Sequence, residues 1–335
     1  MEIGNLIVDW YEQQGRDLPW RKTKDPYLIW ISEIVFQQTR IAQGTDYFNR
    51  FISRFPDIFS LASADISEVM KLWEGLGYYA RARNLHATAQ KLVSESNGEF
   101  PDHYTELMKL KGIGPYTARA IGSFAFDNIT GVIDGNVLRL MSRVLNDFSP
   151  VNLPQTRSAF QKIIDQWVPS TDPASFNHGV MDLGSTVCTP VKPACLICPL
   201  ESYCKAREVG SIHLLPVKDK KKVRPVRYFR FFILEDHVGQ IAIRRRPAKG
   251  FWGGLWEIPN EEVTFEAWEK GEVGEGMEFA GSLKHVFTHF DMQIRVYRGP
   301  VQSQEKVVGT LFIKPDKIRI FAFARAVLKI FERWL

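Results

Sequence analysis

Residues 188–204 read CTPVKPACLICPLESYC and hold all four cysteines of the 335-residue chain, in a C-x6-C-x2-C-x5-C spacing. Four thiolates in so short a loop can close around one metal centre and suit little else. On spacing alone, zinc with four cysteine ligands and an iron–sulfur cluster fit equally well. In either case the centre is structural, because four protein ligands leave no open coordination position. A secreted scaffold would spread its cysteines along the chain, so the clustering also argues against disulfide stapling.

Upstream of this loop, apolar residues recur every three to four positions, with Pro, Gly or Asp between the segments. Asp25 and Pro26 read as N-cap and first residue of a helix running to about Arg40. Further helices are predicted at 44–55, 66–74, 81–95, 104–110, 116–126, 135–146, 155–167 and 174–187. No Val/Ile/Thr alternation interrupts them, which makes this part all-α. Downstream, between Val217 and Arg230, Lys218, Lys220, Lys221, Lys222, Arg224, Arg227 and Arg230 face Asp219 alone, and Pro216 and Pro225 discourage a continuous helix. This reads as a solvated basic linker. Strands are then predicted at 227–234, 240–245, 293–298 and 310–314, with a helix at 318–335, giving a smaller α+β domain. The expected organisation is a helical domain at 1–207, a linker at 208–226 and a second domain at 227–335.

The length suits two domains, and 45% hydrophobic against 24% charged residues excludes a disordered or low-complexity chain. The balance of 43 basic and 38 acidic residues, a net +5, permits an anionic partner without identifying one. The first ten residues carry Glu2 and Asp9 with no basic start, and no apolar run approaches a membrane span. A cytoplasmic protein without membrane contact is the expectation.

Three further places could carry chemistry. In Leu110-Lys111-Gly112-Ile113-Gly114-Pro115, alternate glycines between two helices either form a plain turn or expose amides that hold a phosphate. Glu33 lies in the apolar run Ile29–Phe36. It is either a surface carboxylate with apolar neighbours or one lining a pocket, where desolvation would suit it to general acid work. Asp134 stands directly before a helix, where an Asp is ordinarily an N-cap.

Taken in order, a Glu within an apolar helix, a Gly-rich hairpin, an Asp before a helix and four spaced cysteines resemble the helix-hairpin-helix DNA glycosylase superfamily with its [4Fe-4S] cluster. Within it the chain is similar to the adenine DNA glycosylase family over essentially its whole length. Asp17-Leu18-Pro19-Trp20-Arg21, the run Trp30–Thr39, Trp73-Glu74-Gly75-Leu76-Gly77-Tyr78-Tyr79 and Met181-Asp182-Leu183-Gly184 carry the likeness. The tail segment Arg246–Pro259 resembles the family's Nudix-like C-terminal domain but lacks an R-E-x-x-E-E helix for metal-dependent pyrophosphate hydrolysis.

The resemblance implies excision of adenine mispaired with 8-oxoguanine or guanine in double-stranded DNA, by a monomeric enzyme holding a [4Fe-4S] cluster on Cys188, Cys195, Cys198 and Cys204. Glu33 would protonate adenine, Asp134 would stabilise the cationic sugar, and Tyr116 and Asn136 would orient them. Gln38, Tyr78, Gly112, Gly114 and Arg21 would contact DNA, and Phe287, Thr288 and His289 would read the lesion. Tyr116 stands where lyase relatives carry a Schiff-base lysine, which implies a monofunctional enzyme. Two departures are visible: Thr288 replaces a serine in the reading loop, and Lys111 replaces a proline in the hairpin. The readings that compete with this one are another base-excision enzyme on the same core (a thymine-mismatch glycosylase or an endonuclease III-like lyase), an idle DNA-damage binding protein and a zinc-stabilised adaptor.

Overall fold

A computed structural model describes residues 2–219, 223–301 and 309–335. The chain divides into two compact units, Met1–Ala62 with Ala87–Lys221, and Ser63–His86 with Lys222–Leu335. This departs from the single cut expected near residue 207. Residues 63–86 group with the C-terminal part because their polar side chains bond its backbone, as set out below. The expected linker is also packed at its start: Ser211 and Leu215 are buried, and Val151 N donates to Val217 O at 3.0 Å. Lys220, Lys221 and Lys222 lie outside the described residues.

The first unit is helical. The helix Gly135–Leu145 runs through its core, with Val137, Leu138, Leu140, Met141 and Val144 buried against Ile7, Phe160, Phe176 and Val180. It begins where Asp134 accepts from the amides of Asn136 and Val137, and it ends where Asn146 adopts φ 53°. The helix expected to reach Arg40 stops at Val35. Phe36 caps it by donating its amide to Ser32 O and stacks on Trp20 at 4.3 Å, after which Gln38 takes φ 58° and reverses the chain. The helix expected at 174–187 is α-helical only over Pro173–Asp182 and widens into a π-turn at Leu183–Val187.

Gly184 lies in that π-turn with its missing side chain directed at Asn136. An added Cβ would stand 2.8 Å from the Asn136 Cβ and its carbonyl oxygen. Backbone cannot yield as a side-chain tip can. Gly184→Ala is therefore expected to destabilise the protein by about 1–3 kcal/mol and to displace Asn136, seen as a lowered melting temperature.

Among the described residues, the second unit is built on one sheet of seven strands: β1 (Val226–Glu235), β2 (Ile241–Arg245), β3 (Trp256–Glu257), β4 (Asn260–Val263), β5 (Glu278–Val286), β6 (Asp291–Pro300) and β7 (Thr310–Ile313). Their order is β3-β2-β1-β6-β5, with β4 added to β1 and β7 to β2. The centre is the parallel pair β1 and β6, in register from Val226 opposite Asp291 to Glu235 opposite Pro300. Phe229, Phe231 and Ile233 of β1 and Met292, Ile294 and Val296 of β6 alternate into the core. The four expected strands are present as β1, β2, β6 and β7. β3, β4 and β5 were not legible, since β3 is two residues long and the side chains of β5 are mostly solvent-facing. The expected helix at 318–335 forms only over Arg325–Trp334, because Phe321–Phe323 are drawn into extended pairing with Trp256.

Candidate active site

An open cavity of about 890 Å3 in the helical unit brings together Glu33, Tyr116, Asp134 and Asn136, with Gly112, Gly114, Gln38 and Arg21 also on its wall. Each side chain arrives by a local cause. Pro26 and the Asp25 cap start the helix that carries Glu33. Gly112 (φ 82°) turns the hairpin so that Gly114 and Pro115 begin the helix of Tyr116. Asp134 caps the helix of Asn136.

The two carboxylates differ in their surroundings. Burial, helped by the charge of Asp134 and opposed by a hydrogen bond from Tyr116 and the charge of Arg21, leaves the Glu33 carboxyl raised to about 7. Tyr116 is itself raised well above the usual phenol range, first by burial and then by the Glu33 charge, so it remains a donor. Asp134, by contrast, is held by three N–H groups: Asn136 N at 2.8 Å, Val137 N at 2.7 Å and Asn136 Nδ2 at 2.8 Å. A carboxyl raised to about 7 and a carboxyl held by three N–H groups thus face one cavity.

Behind Asp134 lies a relay of charged groups that was not read from the sequence. Arg139 donates to Asn136 Oδ1 at 3.0 Å, to Gly184 O, and to Cys188 O at 2.9 Å. Arg143 donates to Cys188 Sγ at 3.2 Å, to Thr189 O at 2.8 Å and to Pro190 O at 3.1 Å. The available signal was two arginines four residues apart on an otherwise apolar helix face, where burial demands partners. Cys188, Cys195, Cys198 and Cys204 line a single cavity beside Arg143, and none forms a disulfide. Four thiols around one cavity, with a guanidinium against one of them, fit an anionic iron–sulfur cluster.

Asp182 was quoted within a motif but given no role. It is buried, and although burial alone would raise it, hydrogen bonds from Arg21 and Arg16 hold its carboxyl down at about 2. Arg21 reaches both oxygens at 2.8 Å with only 7% of its side chain exposed. Its guanidinium therefore braces the cavity wall. His178, also unread, lines the cavity stacked on Phe124 at 4.1 Å, and burial next to Arg21 pushes it down to about 3, leaving a neutral ring.

The remaining residues assigned by resemblance lie in the second unit. Tyr78 is 45% exposed with φ 49°, at the turn between two helices. Phe287, Thr288 and His289 form the tip joining β5 to β6. Phe287 donates its amide to Phe290 O at 2.9 Å, and the two rings stack at 4.3 Å. Trp252 and Phe251 pack on Phe287 at 5.4 and 5.8 Å, and the Thr288 hydroxyl lies 3.5 Å from His289 Nδ1.

Comparison with known proteins agrees with this fold. Residues 31–167 match the helix-hairpin-helix superfamily of base excision DNA repair proteins, 188–204 match the iron–sulfur binding domain of endonuclease III, and 230–333 match the Nudix domain. A thermostable thymine-DNA glycosylase structure superposes with a TM-score of 0.57 at 27% identity, covering 62% of this chain and 96% of its own. Fold and site are those of a base-excision DNA glycosylase carrying a [4Fe-4S] cluster. The adenine DNA glycosylase of Buchnera aphidicola subsp. Schizaphis graminum is 35% identical over 87% of this chain and 86% of its own length. The human adenine DNA glycosylase is 31% identical over 97% of this chain and 72% of its own. The chain belongs to the adenine DNA glycosylase family.

Proposed function

We propose that this protein removes adenine mispaired with 8-oxoguanine or guanine from double-stranded DNA, by hydrolysis and without a lyase step. The observation that carries the reading is Glu33, whose carboxyl is raised to about 7 beside Tyr116 and Asp134 in one cavity. The glycosidic bond of a stacked adenine is out of reach, so the nucleotide is flipped into that cavity. Glu33 gives its proton to adenine N7. The C1′–N9 bond then breaks with its electron pair going to the now neutral base. Asp134 stabilises the cationic sugar, as paired carboxylates do in glycoside chemistry. Water adds at C1′ and returns a proton to Glu33. Asn136 and Tyr116 hold these groups in place, and Gly112 and Gly114 offer backbone amides to the DNA phosphates. Gln38 and Tyr78 fill or wedge the duplex beside the flipped nucleotide, and Phe287, Thr288 and His289 read the opposite base.

Cys188, Cys195, Cys198 and Cys204 would hold the cluster, which would give structure to the loop beside Arg143 rather than chemistry at the sugar. The monofunctional reading follows from Tyr116, which has no amine to attack C1′. Borohydride is therefore expected to trap no covalent protein–DNA complex while adenine is released at full rate. Trapping as efficient as that of a lyase overturns this point. Single-turnover release from A:8-oxoguanine, A:G and A:T duplexes tests specificity, with Thr288→Ala expected to weaken the preference for 8-oxoguanine. Equal rates on all three duplexes refute it.

A further inference from the structure

The turn bearing Tyr78 belongs to the same compact unit as the Phe287–His289 tip, and its neighbours bond that unit's backbone. Glu74 accepts the amide of Phe323 at 2.8 Å. Lys71, paired with Glu74 at 2.6 Å, donates to Phe321 O at 2.9 Å. Tyr79 donates its hydroxyl to Phe323 O at 3.3 Å and receives the amide of Gly75 at 3.2 Å. Arg83 donates to Gly253 O, the residue after the Trp252 that packs on Phe287. Phe321–Phe323 are in turn tied to Trp256, whose amide donates to Ala322 O at 2.9 Å.

The turn itself is stiff. Trp73 is buried and donates to Gly77 O at 3.1 Å, while Arg81 lies over both the Trp73 and Tyr78 rings at 5.2 and 5.5 Å and donates to Gly77 O at 3.3 Å. Tyr78 is thus exposed on a braced turn whose two flanks are clamped to the segments supporting the reading tip.

We propose that Lys71, Glu74, Tyr79 and Arg83 form a clamp that fixes Tyr78 relative to the Phe287–His289 tip, so that wedging the duplex and reading the opposite base are one coupled event. Glu74 and Arg83 are positioning residues that set discrimination between 8-oxoguanine and guanine, and they touch neither the base nor the sugar. With the clamp intact, Tyr78 enters fully only where the tip has engaged its base. With it broken, engagement of the tip no longer drives Tyr78 into the duplex, and the gain on A:8-oxoguanine is lost. The inference rests on the proposed lesion reading by residues 287–289.

The test uses full-length, cluster-loaded protein. Single-turnover adenine release from A:8-oxoguanine and A:G duplexes is measured for wild type, Glu74→Ala, Arg83→Ala, their combination, and Glu74→Gln. The combined variant is expected to lose about tenfold of the A:8-oxoguanine preference, in the range of ordinary coupling free energies, with the A:G rate within about twofold of wild type. Glu74→Gln keeps the acceptor for Phe323 N and is expected to retain most of the preference. Hydrogen exchange at the Phe323 amide should speed up in Glu74→Ala and not in Glu74→Gln. An unchanged preference in the combined variant, or a parallel fall on both duplexes, overturns the clamp. A wild type with no preference, or one whose preference survives Phe287→Ala, overturns the lesion reading itself, and the clamp falls with it.

Discussion

Glu33→Gln is expected to slow single-turnover adenine release by about 10²–10⁴-fold, the usual contribution of a positioned general acid. Gln is nearly isosteric and can still accept from Tyr116, so the cavity keeps its shape and DNA binding should change little. What is lost is a proton that the protein holds near neutrality. Burial opposes ionisation of Glu33, and only the Tyr116 hydrogen bond and Arg21 moderate it, leaving the group at about 7. A wild-type rate for Glu33→Gln removes Glu33 from the acid role.

The same assignment fixes a pH dependence. A general acid acts in its protonated form, so the rate should be level below about 7 and fall as pH rises through it. The Tyr116 hydrogen bond favours the ionised form and lowers Glu33. Tyr116→Phe removes that influence and should move the descending limb to higher pH. A shift in the opposite direction contradicts the arrangement. Stability carries the matching sign. Because the folded Glu33 is raised above its unfolded value, the folded state loses stability as pH climbs from the ordinary carboxylate range to about 7. Glu33→Gln should be relatively more stable above that window.

Asp134→Asn is expected to cost about 10²–10³-fold, the scale of losing one charge-stabilising group at a developing ion. The substitution separates two functions of one residue. Asn is as good an N-cap as Asp, so the helix Gly135–Leu145 should persist with an unchanged melting temperature. The negative charge facing the cationic sugar is gone. Asp134→Ala should add a cap loss of about 1 kcal/mol, visible as a lower melting temperature on top of the slower rate. If Asp134→Asn releases adenine as fast as wild type, Asp134 is a cap and nothing more.

Much of the site was legible because local chemistry marked it. A carboxylate in an apolar run, an Asp ahead of a helix and glycines at alternate positions each break a local pattern, and such breaks persist in sequence. Arg139 and Asp182 were not assigned because their partners are distant in the chain: Arg139 bonds Cys188, and Asp182 bonds Arg16 and Arg21. Arg21 was assigned to DNA, but its guanidinium braces Asp182. For His178, helical periodicity said only that it lay on a helix, not that the helix faced the cavity.

Sequence alone determined the helical core, the β1, β2, β6 and β7 strands and the clustered thiols, since these depend on periodicity and spacing within short windows, and the family through the resemblance of its motifs. Only tertiary structure decided which carboxyl is raised, because desolvation is a property of the enclosing cavity. It also decided that residues 63–86 group with the C-terminal unit, since hydrogen bonds between the side chains of Lys71, Glu74, Tyr79 and Arg83 and a backbone some 170 to 250 residues away leave no local trace.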